Sequence, residues 1–355
     1  MTRAVHPERK HPVPKQDAQE QPKRAATRTD VARLAEVSTA VVSYVVNNGP
    51  RPVAASTRTR VLAAMEELDY RPNAVARALR MRSAQAVGLV VPDVSNTYFG
   101  ALARELSVQA FTAGYALLLG DADNDIDRER AQVESLVSHQ IDGLVIVSLD
   151  PASVAETGTT PTVFLDQRSR PGQLSVIVDD RGGAAQAVSH LIGHGRTRIA
   201  LLSGPVGAPG VSEREQGWRQ ELETAGLPTG DDLIARSEFS RAGGFEAGQD
   251  LLSRAQRPDA VFVTSDVQAL GLLAAARRRG VEVPRDLAVV SFDGTEDALF
   301  SDPPLTAIEQ PIHRIAEAAL SAVLEKGLEH SPLTIPVELV VRDSCGCEST
   351  DAESR

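Results

Sequence analysis

The stretch STAVVSYVVNN, residues 38–48, decides how the N-terminal part of the chain folds. Four valines and a tyrosine give it the composition of a strand, because β-branched and aromatic side chains suit a pleated surface. Its periodicity points elsewhere. Val41, Val42, Val45 and Val46 recur at i, i+1, i+4 and i+5 and share one face of a 3.6-residue repeat. Thr39, Ala40, Ser43, Tyr44 and Asn47 take the other face, and Ser38 stands where an N-cap belongs. The stretch reads as a short amphipathic helix whose polar side needs a partner.

A second short helix precedes it. Thr27 and Asp30 have the T-x-x-D spacing of an acidic capping box, and Val31, Leu34 and Ala35 supply the apolar side over 27–35. A tight turn at Glu36 and Val37 then leads into the valine helix. Two short helices joined this way make a helix-turn-helix, whose second helix enters the major groove of DNA. A third helix is expected over 55–68, and a fourth, isolated one over 73–79 after Pro72.

Charge supports this reading. The chain carries net −11, but residues 23–82 hold 11 Lys and Arg against 5 Asp and Glu, whereas residues 83–355 hold 22 against 40. A small basic module therefore precedes a large acidic body, as suits a polyanion-binding head. Residues 1–25 carry prolines and mixed charge without apolar periodicity and read as a disordered tail. The N-terminus lacks the apolar region of a signal peptide, and the longest apolar runs are strand-sized. The expected location is the cytoplasm.

From Ala86 onward, apolar runs alternate with helical segments: AVGLVV, YALLLG, GLVIV, TVFLD, SVIV, RIALLSG, AVFVTS and LAVVSFD. Continuous apolar strands separated by helices indicate parallel sheets covered on both faces, and their number calls for two lobes. The only cysteines, Cys345 and Cys347, read as free thiols, and His190 and His194 as surface or packing residues. No phosphate loop, nucleophile elbow or H-E-x-x-H motif is present, so neither an enzyme, a metal nor a cofactor is expected.

The segment DVARLAEVSTAVVSYVVN resembles the DNA-binding head of the lactose and galactose repressor family of bacterial transcriptional regulators. The likeness continues through TRTRVLAAMEELDYRPNAVARAL, VGLVVPDVSNTYF, IDGLVIV, HLIGHGRTRIALLSGP, REQGW, FVTSD, VVSFD and PPLTAIEQP, from about residue 27 to 344. It implies a small all-α helix-turn-helix head on an α/β body of two Rossmann-like parallel-sheet lobes, like periplasmic binding proteins. The implied plan is a tail at 1–25, the head at 26–71 and a hinge helix at 72–85. An N-lobe follows from 86–170 with 305–328, a C-lobe from 171–304 with 329–345, and a tail at 346–355.

By the same resemblance Thr39 and Ala40 read bases and Tyr44 makes a third contact, where relatives often carry Arg. That exchange removes the commonest bidentate contact to guanine. The alternative for Tyr44 is packing against the next helix. Thr27, Ser38, Ser43, Asn47 and Thr57 complete the head's DNA-facing candidates. In the hinge, Leu79 matches the leucine that wedges into the minor groove, with Asn73, Ala76 and the phosphate-directed Arg77 beside it. Glu36 replaces a usual turn Gly and Ala54 a usual Ser cap, each costing about 1 kcal/mol.

Open α/β sheets bind ligands at the carboxyl ends of their strands. This makes Asp93, Asn96, Tyr98, Phe99, Asp121, Asp123, Asp166, Ser265, Asp266 and Asp293 candidates, with Arg214 and Trp218 from the second lobe. The family match assigns Asp166, Arg214 and Asp293 to gripping effector hydroxyls. Phe99 or Trp218 would cover the effector's apolar face, and Ser265 replaces a frequent Asn. Trp218 can instead be lobe core, and Asp266 a helix N-cap. The expected partners are a palindromic double-stranded operator, a small effector of sugar type, and a second copy of the chain. An activator, a corepressor-dependent repressor and a solute-binding protein are the alternatives.

Overall fold

The computed structural model describes residues 26–47, 51–71, 83–150, 152–166, 173–208, 210–325 and 332–347. The chain divides into two units, one ending at residue 77 and the other beginning at 78.

The first unit holds α1 (Arg28–Leu34), α2 (Thr39–Asn47) and α3 (Ala55–Glu67). Thr27 and Asp30 form the reciprocal capping box that their spacing predicts: the Asp30 carboxylate accepts from Thr27 N at 2.9 Å, and Thr27 Oγ1 accepts from Asp30 N at 3.3 Å. Ser38 Oγ accepts from Val41 N at 3.3 Å and opens α2. Val42 and Val45 are buried with Val31, Ala32, Ala35, Val61 and Ala64, and Val46 packs partly buried against them, so these three valines form the inner face of a helix, while Val41 stays half-exposed outside the cluster. Glu36 sits in the turn at φ 52, a conformation glycine reaches without strain. Ala54 starts α3 without a side-chain cap.

The second unit contains two six-stranded sheets. The first runs in the order β11-β5-β4-β3-β1-β2, from β1 (Ala86–Val91), β2 (Ala116–Asp121), β3 (Gly143–Ile146), β4 (Thr162–Leu165), β5 (Leu174–Val178) and β11 (Leu333–Ile335). The second runs β12-β10-β9-β8-β6-β7, from β6 (Ile199–Ser203), β7 (Ile234–Arg236), β8 (Ala260–Val263), β9 (Ala288–Asp293), β10 (Thr306–Glu309) and β12 (Glu338–Val340). Among these pairings only β10–β12 is antiparallel. Helices α4 (Thr97–Thr112), α5 (Ile126–Ser138) and α11 (Ile312–Leu324) serve the first sheet. Helices α6 (Asp180–Gly193), α7 (Val211–Thr224), α8 (Arg241–Ser253), α9 (Asp266–Arg279) and the short α10 (Glu296–Leu299) serve the second. Strands buried on both faces, such as β1, β3, β8 and β9, explain the unbroken Val, Ile and Leu runs. Among the described residues no helix is long and apolar enough to cross a membrane.

Strand pairing moves the expected lobe boundaries. β5 was expected to open the C-lobe at 171, but it pairs with β4 in the first sheet. β10 falls in the expected N-lobe segment 305–328 yet pairs with β9, and β11 falls in 329–345 yet pairs with β5. Both sheets have the same apolar pattern, so the sequence marks a strand without marking its sheet. The chain therefore crosses between lobes after β5, after β10 and after β11. The C-terminal tail also begins later than residue 346, because Cys347 still packs on the lobe core. The expected N-terminal tail and the hinge helix over 73–79 lie outside the described residues.

Candidate functional site

The carboxyl ends of both sheets face a cleft that holds a cavity of about 510 Å³. Asn96 follows β1 and caps α4, its Oδ1 accepting from Tyr98 N at 3.1 Å, which sets Tyr98 and Phe99 at the cavity edge. Asp166 follows β4 at φ 60, and Asp293 ends β9 at φ 115. Non-glycine residues in such conformations cluster at functional sites. Ser265 follows β8 and caps α9, its Oγ accepting from Gln268 N at 3.3 Å.

Arg214 supplies the positive charge of the cavity. Its Nε donates to Asp180 Oδ1 at 2.7 Å and its Nη1 to Thr264 O at 2.5 Å, while Nη1 lies 4.0 Å from Asp293 Oδ1. The guanidinium stacks 3.7 Å from the Phe292 ring centre. Among the described residues no hydrogen bond uses Nη2, which leaves that end of the fork for a ligand. One cation here serves three carboxyls. Burial, reinforced by Asp180, pushes the Asp166 carboxyl up to about 7, against the lowering pull of Arg214 and Tyr98. Burial followed by the charge of Asp266 raises Asp293 as well. Asp166 therefore titrates near neutrality, able to donate or accept.

A hydrogen-bonded chain crosses the cleft floor. Tyr98 Oη donates to Gln310 Oε1 at 3.1 Å, and Gln310 Nε2 donates to Asp293 Oδ1 at 2.8 Å. Tyr98 belongs to α4 of the first lobe and Asp293 to β9 of the second, with Gln310 on a strap between lobes. Asp266 does not cap its helix. Its carboxylate accepts from Ser291 Oγ at 2.6 Å and from Thr295 N at 2.6 Å, bracing the loop after β9.

In the head, Ser38, Thr39 and Ala40 are exposed at the start of α2, while Ser43 and Tyr44 are half-buried. Tyr44 stands outside the head's apolar cluster. The second helix thus buries Val42 and Val45 and exposes Thr39 and Ala40 at its start, the geometry of a recognition helix.

Residues 27–73 match the bacterial regulatory proteins of the lacI family, and residues 188–345 match a periplasmic binding protein-like domain. The ribose operon repressor of Escherichia coli is 34% identical over 307 residues, which span 85% of this chain and 93% of that protein. The chain belongs to the lacI family. The HTH-type transcriptional repressor CytR of Escherichia coli is 35% identical, over 85% of this chain and 90% of its own length. The structure of the lac repressor dimer bound to operator and the anti-inducer ONPF superposes with a TM-score of 0.79 at 28% identity, covering 91% of this chain and 99% of that one. This lacI-family chain is accordingly a DNA-binding transcriptional repressor, with a helix-turn-helix head and a periplasmic-binding-protein-like body.

The expected effector residues divide. Phe99, Asp166, Arg214, Ser265 and Asp293 line the cavity, with Asp93, Asn96 and Tyr98. Trp218 does not: it is 0% exposed in the lobe core, and its Nε1 donates to Ile199 O at 3.2 Å. Asp121 also stands off the cavity wall, where its Oδ1 accepts from Val94 N and Asp123 N and ties two loops together. Asp123 pairs with Arg128 at 2.5 Å. Asp180, Gln310 and Phe239 were not anticipated. Asp180 and Gln310 lie just beyond β5 and β10, so the strand-end rule finds both once those strands are placed. Phe239 follows the three-residue β7, which has no signature. In the head, the Thr27 hydroxyl is engaged by its own capping box and Thr57 is half-buried. The Asn47 side chain and the hinge residues Asn73, Ala76, Arg77 and Leu79 lie outside the described residues.

Proposed function

We propose that this lacI-family repressor works in the cytoplasm as a homodimer on a palindromic operator. A sugar or sugar derivative bound between its lobes releases it. The observation that carries this reading is the cleft itself, where an Arg214 fork, two carboxyls that burial raises above the usual carboxylate range and the half-buried Phe99 ring converge on one cavity. Charge-assisted, paired donors and acceptors suit vicinal hydroxyls, and an aromatic face suits the apolar side of a pyranose or furanose ring. Dimer formation is supported by the apolar residues that α4 and the edge strand β2 expose: Val108, Phe111 at 81% exposure, Leu118 and Leu119. Thr39, Ala40 and Tyr44 are read as base-facing, and Leu79 as the minor-groove wedge.

Calorimetric titration of the full chain with pentoses, hexoses, disaccharides and nucleosides tests the cleft, paired with release of labelled operator DNA. We expect one class to bind and to release DNA, and Phe99→Ala to weaken that binding at least about 10-fold through lost ring contact. Arg214→Ala is a poorer probe, because it strands Asp180 and Asp293 as buried unpaired charges. Binding unchanged in Phe99→Ala and Asp166→Asn would remove the cleft from the reading.

A further inference from the structure

The His and Cys residues that the sequence leaves without a role meet in space. His190 lies on α6, and His194 is its C-cap four residues on, so both imidazoles share one side of the helix end. Cys345 and Cys347 come from the chain that follows β12, which crosses this helix end. The two ring Nε2 or Nδ1 atoms and the two Sγ atoms all lie within 4.8 Å of one another. Cys347 Sγ is 3.1 Å from His194 Nε2 and 3.8 Å from His190 Nε2, and the imidazole rings are 4.7 Å apart, edge to face.

We propose that His190, His194, Cys345 and Cys347 form a tetrahedral Cys2His2 site for a zinc-class divalent cation. With Zn–S near 2.3 Å and Zn–N near 2.0 Å, the edges of such a tetrahedron measure roughly 3.3–3.8 Å, so small rotamer changes close the present cluster onto an ion. The spacing fits a chelate built from two pairs: H-x-x-x-H on a helix, and C-x-C, one residue tighter than the usual finger knuckle. Two thiolates and two neutral imidazoles balance a 2+ charge, so the ion adds no net charge to a partly buried place. Sulfur and imidazole ligands select zinc over the oxygen-seeking magnesium and calcium. Thr306 Oγ1 donates to Cys345 Sγ at 3.1 Å, a contact that would hold this sulfur in place for an ion.

The ion would staple the end of the C-lobe to α6, the helix whose other end carries Asp180 and the cleft. Its role is structural, and no ligand position is open for chemistry.

The test uses the full chain, reduced, stripped with a chelator and dialysed. It should take up one Zn²⁺ per chain by elemental analysis and lose the thiol-reagent reactivity of the half-buried Cys347. Co²⁺ should give thiolate charge-transfer bands and the intense visible bands of a tetrahedral site. His194→Asn, at an exposed position, and Cys347→Ser should each weaken uptake at least about 100-fold, because even outer-shell partners of a ligand are worth 10–100-fold. Substoichiometric uptake by the reduced wild-type chain overturns the proposal, and so does uptake that survives both substitutions. A Cys345–Cys347 disulfide forming in air, with no metal bound by the reduced chain, overturns it too. Should Cys347→Ser fail to fold by circular dichroism, His194→Asn decides alone.

Discussion

Asp166 combines two features that rarely meet on one residue: a left-handed backbone at φ 60 and a carboxyl pushed up to about 7, first by burial and then by Asp180. The native state keeps this proton over a pH range, from about 4 to 7, in which the unfolded chain has released it. Folding therefore binds protons there, and this residue's contribution to stability falls as pH rises through that window. Asparagine cannot ionise and tolerates positive φ. Asp166→Asn should gain on the wild type in melting temperature between about pH 5 and pH 8, and a gap that stays constant in thermal scans would refute the assignment. Glu36, at φ 52 in the turn of the head, makes a simpler case. Glu36→Gly removes the Cβ strain and should stabilise α1 and α2 by about 1 kcal/mol, read as slower amide exchange of those helices in the full chain.

Between elements, α8 and α9 of the C-lobe approach each other closely. A Cβ on Gly244 would lie 2.1 Å from Gln268 O, and one on Gly271 would lie 2.2 Å from Arg241 O, so the two helices meet backbone to backbone. That contact seats Gln268, whose Nε2 donates to Ser203 O and Ser237 O, both at 3.1 Å, behind the cleft wall. Gly244→Ala should destabilise the lobe by about 1–3 kcal/mol through overpacking, seen as a melting temperature several degrees lower. An unchanged transition would mean that the helices can slide apart freely. The same glycines explain why α8 escaped the sequence: Gly243, Gly244 and Gly248 depress its helical propensity, and the reason for them is a neighbour far along the chain. β1 was legible to the residue and β9 to within one residue, because burial on both faces demands an unbroken apolar run. The site divides likewise. Asp166, Ser265 and Asp293 follow recognisable strands, whereas Asp180 and Gln310 depend on which sheet β5 and β10 join. That is a matter of long-range pairing, which no local pattern records.

Across the whole molecule, the Tyr98–Gln310–Asp293 chain is the polar link through which the two lobes feel each other on the cleft floor. An effector shifts lobe closure only by its difference in affinity for the open and closed forms, so any bond made in one form belongs to that difference. Tyr98→Phe leaves the buried Gln310 Oε1 without its donor and should change effector affinity about 10-fold while the fold persists. An identical titration curve would show that the bond is indifferent to closure. The triple crossing of the chain has a further consequence, in the order of synthesis. The apolar cluster of the head runs from Val31 to Tyr70, within some forty residues, and such local structure forms quickly. The first sheet, however, lacks its β11 edge until Leu333–Ile335 has been made, and the second lacks β12 until residue 340. A nascent chain thus owns its DNA-reading helix while the body meant to govern it is still an open sheet. A single head meets only half of a two-fold operator, so such an unfinished molecule should hold DNA weakly.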